Sequence, residues 1–327
     1  MKLLKLKSYR LPAAVFVFVA LNLMMIQVKV DYPMLLFERF FKKGGWLELF
    51  IVALFGAFLA FKMQDPNQSA RWRKISWTIF SIWFFAQLLI GITLSETFLL
   101  TGKLHLPVPA MLICGPLYRG EKSVMTILFL STILLTGPAW CSQLCYFGAI
   151  DHYFAKGKTK RSLIKYKFRI KHILLLFMVM VTLCMQLLNV KPLVATVIGS
   201  IFGIIGILTI VIVTRKQHRM IHCSVFCPIG TIVNYLKFIN PFRMFIDKNC
   251  DRCMACSLKC KYDALRGEDI KRLKPGVSCT YCGDCISSCK SNSIKYRFFK
   301  ISPEKARRLY LFITVSVYAI FLAMGRI

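Results

Sequence analysis

Twelve of the fourteen cysteines fall into four groups whose spacing could do chemistry. Two groups are C-x3-C pairs: Cys141 and Cys145 in WCSQLC, 140–145, and Cys223 and Cys227 in HCSVFC, 222–227. The other two are four-cysteine runs, CDRCMACSLKC at 250–260 and CTYCGDCISSCK at 279–290, both reading C-x2-C-x2-C-x3-C. A thiolate is a soft ligand, and four of them together hold either a zinc ion or an iron–sulfur cluster. A zinc site uses four ligands and commonly only two C-x2-C pairs, so two full runs favour iron–sulfur.

The doubled run has the spacing of the bacterial ferredoxin with two [4Fe–4S] clusters, in which the fourth cysteine of each run crosses to the other cluster. The expected ligand sets are therefore Cys250, Cys253, Cys256 and Cys289 for one cluster, and Cys279, Cys282, Cys285 and Cys260 for the other. The runs echo each other beyond the cysteines: Cys260-Lys261 with Ala264-Leu265 parallels Cys289-Lys290 with Ser293-Ile294. A pseudo-twofold α+β domain of short strands and small helices is expected. Lys261 and Lys290 stand where the ferredoxin pattern has proline. A cation beside a cluster favours its reduced form.

The membrane-side pairs are also a repeat. WCSQLCYFGAIDHYF, 140–154, aligns with HCSVFCPIGTIVNYL, 222–236, matching Ser142 with Ser224, Gly148 with Gly230, Ile150 with Ile232 and Tyr153 with Tyr235. Each copy follows a span of the same direction, so the copies are parallel and related by an axis along the membrane normal. On a helical turn, residues i and i+4 share a face. Two such faces would gather Cys141, Cys145, Cys223 and Cys227 into one site for a third [4Fe–4S] cluster. Otherwise they form a thiol redox pair.

These cysteines need a scaffold, and the scaffold is apolar. The chain has 327 residues, mean hydropathy +0.58 and 57% hydrophobic residues, too apolar for an ordinary soluble domain. Seven runs approach the ~20 residues a membrane-spanning helix needs: about 11–28, 46–62, 75–101, 122–138, 173–190, 193–214 and 309–325. The first is longer than a secretory h-region and no small-residue cleavage site follows, so it is read as a retained span. The net charge of +31 is concentrated in alternate loops. Lys2, Lys5, Lys7 and Arg10 precede the first span, and Arg71, Arg73 and Lys74 the third. Lys156, Lys158, Lys160, Arg161, Lys165, Lys167, Arg169 and Lys171 precede the fifth, and 215–308 is basic throughout. The positive-inside rule then puts all four cysteine groups on the cytoplasmic face of the cell membrane. Loop 29–45, with Lys29, Arg39, Lys42 and Lys43, runs against this pattern. The cytoplasm is reducing, which favours metal or redox chemistry over disulfides. The basic charge borders spans and meets lipid, and no nucleic-acid motif is present.

The expected organisation is 1–121, N-terminal spans and loops; 122–239, a membrane core carrying both C-x3-C repeats; 240–308, a cytoplasmic dicluster domain; and 309–327, a last span. The fold class is thus an α-helical multi-pass membrane protein with a small α+β dicluster domain of bacterial ferredoxin type. Over roughly 120–300 the chain resembles the membrane polyferredoxin family, whose members include the quinol-dehydrogenase subunit of periplasmic nitrate reductase. The nitrous-oxide-reductase regulatory membrane protein and the cytochrome-oxidase accessory protein with cupric-reductase activity are others. Tyr146 departs from the family's proline after the second cysteine, where the second copy has Pro228. The resemblance implies an electron carrier of quinol-dehydrogenase type, passing electrons between a cytoplasmic redox partner and a membrane quinone or a partner subunit. The alternative is a maturation or regulatory protein that reduces a metal for an oxidase or reductase; a third reading is a scaffold or transporter with a ferredoxin sensor.

Other residues are weaker candidates. His152, His218 and His222 lie near the membrane cysteines and read as interfacial polar residues. His105 and His172 complete the set, and no bis-histidine haem site is evident. Neither a C-x-x-C-H haem motif nor a flavin-attachment domain is recognised. Glu96, His105 and Arg119 are a possible quinone pocket. Cys184 reads as a small packed residue, and 105–120, rich in proline and glycine, as a poor helix or re-entrant loop.

Overall fold

The computed structural model describes residues 9–99, 106–121, 124–157 and 166–325. Seven helices among these are long and apolar enough to cross a membrane: Arg10–Lys29, Gly44–Met63, Pro66–Thr93, Thr126–Leu144, Lys167–Leu187, Pro192–Gln217 and Pro303–Met324. The third lies nine residues earlier in the chain than the hydropathy alone suggests. Asp65 caps it, accepting from the Asn67 N–H at 3.0 Å, and Pro66 takes the first turn, where no N–H is needed. Arg71, Arg73 and Lys74 therefore belong to its opening turns, and Arg73 is buried over the Trp77 ring.

The chain divides into two compact units, 1–104 with 296–327, and 105–295. In the first unit, Arg10–Lys29 and Pro303–Met324 both pack on Gly44–Met63, which also packs on Pro66–Thr93. A Cβ at Gly56 would stand 3.2 Å from the Ala319 Cβ and 3.4 Å from Val15, so small residues let these helices approach closely. Arg307 donates to the carbonyls of Met63 and Gln64 at 2.8 and 2.6 Å, and the Tyr318 hydroxyl to that of Ser76 at 2.8 Å. The Arg307 bonds occupy carbonyls that the end of Gly44–Met63 would otherwise leave orphaned.

The second unit holds all the grouped cysteines. It opens with a helix, Met111–Arg119, where the composition suggests a poor one. Pro116 deprives the Leu112 carbonyl of its helical donor, and the Thr126 hydroxyl replaces it at 2.7 Å. Gly120, at φ +66°, ends the helix in the left-handed region. The same repair recurs in the fourth span. Pro138 cannot donate to the Leu134 carbonyl, and the buried Asn240 amide does so at 2.6 Å. The Asn240 carbonyl oxygen in turn accepts from the Phe242 N–H at 2.8 Å. Asn240 thereby ties the start of the cysteine-rich segment to the helix that carries the first repeat.

That segment starts with strand Phe242–Ile246, paired in a two-stranded sheet with the strand that begins at Ile294. The cysteine runs lie between the strands, with one-turn helices at Ala255–Lys259 and Gly267–Lys271 and a short turn at Ile286–Ser288.

Candidate metal centres

The two four-cysteine runs adopt the same backbone. Arg252 and Tyr281, each before the second cysteine of its run, have φ of +54° and +55°. Met254 and Gly283, each after that cysteine, have φ of +62° and +77°. Asp263 and Asn292, three residues beyond the fourth cysteines, have φ of +52° and +50°. Left-handed residues cost free energy outside glycine, and their recurrence at matched positions marks turns imposed by a shared function. The sulfurs of Cys260 and Cys289 each accept a backbone N–H four residues on, from Ala264 and Ser293, both at 3.3 Å.

Cysteines of one run neighbour those of the other. Cys256 lies in the electrostatic field of Cys250 and Cys289, and Cys285 in that of Cys282, Cys279 and Cys260. A cavity is lined by Cys260, Cys279, Cys282 and Cys285 with His152, Met244 and Leu265. Burial pushes the thiols of Cys260 up to about 12 and of Cys279 and Cys256 up to about 11. Such thiols stay protonated unless a cation joins them, and the iron of a cluster would supply that charge.

The C-x3-C pairs are equally matched, but not as faces of an α-helix. Trp140–Leu144 and His222–Phe226 are each one wide π turn. The Cys145 and Cys227 N–H groups donate to carbonyls five residues back, Trp140 at 3.0 Å and His222 at 2.8 Å. Both cysteines are then extended, at φ −73°, ψ 114° and φ −70°, ψ 117°. Each caps a nine-residue helix, Tyr146–Phe154 or Pro228–Leu236. Their sulfurs thus sit at helix N-termini; burial raises both thiols, and the backbone N–H groups of Phe147 and Gly148, or Ile229 and Gly230, only partly oppose it. The wide turn replaces the expected i, i+4 face because it lets the chain change direction between the two thiols. Tyr146 costs the first copy nothing, since the first helical position has no use for its N–H.

All four of these cysteines line one cavity, with Trp140, Phe147, Lys171, His222, Gly230, Tyr262, Ser278 and Thr280 among its other walls. Tyr262 and Thr280 also line the cavity of Cys260, Cys279, Cys282 and Cys285, so the two cavities share a wall. Among the described residues, no three His, Cys, Asp or Glu side chains converge on a point suited to one metal ion. A cluster is held at its corners, which sets its ligand sulfurs further apart than those around a single zinc. The cavity also has buried polar atoms without a partner, the Thr280 hydroxyl and both His222 ring nitrogens. Four thiols, orphaned polar atoms and a buried lysine fit an iron–sulfur cluster, whose sulfides accept hydrogen bonds and whose thiolates carry negative charge.

Several residues at this site were not evident from the sequence. His222 is no interfacial residue: its ring is buried between Phe147 and Phe226, with centroids at 5.4 and 5.3 Å, and burial lowers its pKa to about 4. Asp151 is fully buried; it accepts from the Thr214 hydroxyl at 2.7 Å and the Cys223 N–H at 2.9 Å, fixing the second π turn. Burial pushes its carboxyl up to about 6 against these donors. Asp263 receives Lys167 at 3.1 Å together with Arg219 and Arg266, joining the helical part of the unit to the cysteine-rich segment. The signal available in sequence was the asymmetry of the repeat, where Asp151 stands opposite Val233.

Other expected residues fall elsewhere. Lys261 turns its amine onto the carbonyls of Gly157 and His218, at 2.8 and 3.0 Å, and so acts as a staple. Glu96 is exposed, Arg119 pairs with Glu121 at 3.6 Å, and His105 lies outside the described residues. Cys184 is exposed rather than packed, because it lies on the outer face of its helix, while Cys114 is buried beside Val108, Ala110 and Met178. The buried acid among the N-terminal spans is Glu48, which accepts from the Phe37 N–H at 2.8 Å.

Two segments, 123–170 and 200–242, match a family described as "4Fe-4S binding domain". Each contains one C-x3-C repeat, and the four-cysteine runs lie outside both. The chain is thus similar to iron–sulfur proteins at the very repeats whose ligand role the spacing alone left open. It is also similar to two uncharacterized proteins of Methanocaldococcus jannaschii. One is 23% identical over 69% of this chain and 94% of its own length. The other is 21% identical over 57% of this chain and 76% of its own. No solved structure matches.

Proposed function

We propose that this protein is a membrane iron–sulfur electron carrier in which both C-x3-C repeats hold one [4Fe–4S] cluster and the two four-cysteine runs hold two more. It passes electrons between a cytoplasmic redox partner and a membrane quinone or partner subunit. The observation that carries this reading is the shared wall of Tyr262 and Thr280, which puts the four repeat cysteines next to the set of Cys260, Cys279, Cys282 and Cys285. The crossed Cys260 and Cys289 then continue the line to Cys250, Cys253 and Cys256. Clusters supply one-electron redox chemistry; the chain's residues space the centres, exclude water and set their charge. A thiol redox pair fits less well, because burial pushes Cys145 up to about 12, away from the thiolate that exchange chemistry needs.

The test is iron and labile sulfide content of the full chain purified without oxygen. Three clusters give about twelve irons and two give about eight, by the four-iron stoichiometry of each. Cys141→Ser and Cys223→Ser should each remove one cluster, and the double variant no more than either, because one shared site fails when either half fails. Wild-type iron at the two-cluster level, unchanged by these substitutions, would overturn the third centre.

A further inference from the structure

Lys171 counts in the sequence among the basic residues that set topology, yet its side chain is buried, 2% exposed, and lines the cavity of the four repeat cysteines. A Cβ added at Gly230 would stand 3.5 Å from the Lys171 Nζ and 3.9 Å from the Cys227 Cβ, so the ammonium and that cysteine both pack against Gly230. Cys227, Cys141 and Cys223 are its electrostatic neighbours. Other buried cations of this unit have oxygen partners: Lys167 and Arg219 on Asp263, and Lys237 on the Val277 carbonyl at 2.5 Å. Among the described residues the Lys171 ammonium has no hydrogen-bond or ion-pair partner. An unpaired buried charge is strongly destabilising. What faces this one is a cavity walled by thiols, with Cys227, Cys141 and Cys223 in its field.

Resting on the cluster reading above, we infer that Lys171 is a positioning residue that sets the reduction potential of the repeat-bound centre, holding it above the value its four thiolates alone would give. A cluster on four thiolates is anionic, and more so after gaining one electron. A fixed cation nearby therefore stabilises the reduced form more than the oxidised one. Only an electron moves in this couple: the centre is reduced as a neighbouring cluster is oxidised, with no bond made or broken. Asp151 carries the opposite charge near Cys223, held there by Thr214 and the Cys223 amide, and it is the same in every Lys171 variant, so their comparison isolates the cation. Lys171 thus makes the repeat-bound centre a better electron acceptor than the same four thiolates would be without the cation.

The experiment is a potentiometric titration of the full chain, followed by electron paramagnetic resonance, for wild type, Lys171→Arg, Lys171→Gln and Lys171→Met. The signal lost in Cys223→Ser identifies the centre. The neutral variants should shift its reduction equilibrium at least tenfold toward the oxidised form, about 59 mV for a one-electron couple. The other two centres should stay in place and Lys171→Arg should restore the wild-type value. A centre that titrates unchanged in Lys171→Gln and Lys171→Met overturns the inference. If both neutral variants lose the centre, retention by Lys171→Arg supports a charge requirement, and loss there too overturns it. Absence of the third signal in wild type instead overturns the underlying cluster reading.

Discussion

At the scale of single residues, the candidate ligands were legible and the residues that support them were not. Cysteine spacing reports on local turns, so the eight cysteines of the doubled run stood out directly as candidates. Asp263 could not, because its role depends on cations far away in the chain, Lys167 and Arg219, with Arg266 nearby. Burial alone would raise its carboxyl, but Arg266, Lys167 and Arg219 hold it below the ordinary aspartate range. Its contribution to stability is therefore present above that range and lost as pH falls through the lowered value. Asp263→Ala would leave Lys167 and Arg219 buried without a counter-charge, at a cost of about 3–5 kcal/mol. Urea denaturation followed by cluster absorbance should show a midpoint well below wild type. A change under about 0.5 kcal/mol, the size of an ordinary surface substitution, would mean that the network contributes nothing to docking.

At the scale of elements, hydropathy located seven apolar helices but misjudged where polar turns extend them. Asp65 and Pro66 start the third before its apolar stretch, and the last begins at Pro303, upstream of its apolar run. The repeat itself was legible from aligned cysteines, glycines and tyrosines. Its π turn was not, since nothing in i, i+4 spacing distinguishes an α turn from a wider one. Tyr146 and Pro228 occupy the same place, the first position of helices whose caps, Cys145 and Cys227, have nearly the same dihedrals. Tyr146→Pro should accordingly keep full iron content and alter stability by no more than ~1 kcal/mol, within the gain proline brings at compatible positions. Loss of one cluster in that variant would show that the first motif needs the tyrosine side chain. The opposite substitution, Pro228→Tyr, serves as the matched control.

At the scale of the whole molecule, orientation rests on charge. Most basic residues fall in alternate connections, and the one contrary loop carries Arg39. That guanidinium donates to the carbonyls of Pro33 at 3.1 Å and Met34 at 2.9 Å, so it is committed to holding its own loop. Lys171 is likewise absorbed by the cysteine cavity, which removes it from the topology count on the other side. The remaining bias still favours a cytoplasmic cysteine-rich segment, through Arg10, Arg71, Lys74 and Lys156 and the basic stretch 215–308. A cytoplasm-active reporter fused after Ile301 should be functional, and a reporter that needs export should be silent at the same point. Fusion after Val30, between the first two spans, should give the reverse pattern. Export-dependent activity after Ile301 would turn the molecule over. It would put the centres beside an extracytoplasmic partner, and the electron donor would then have to be sought on that side.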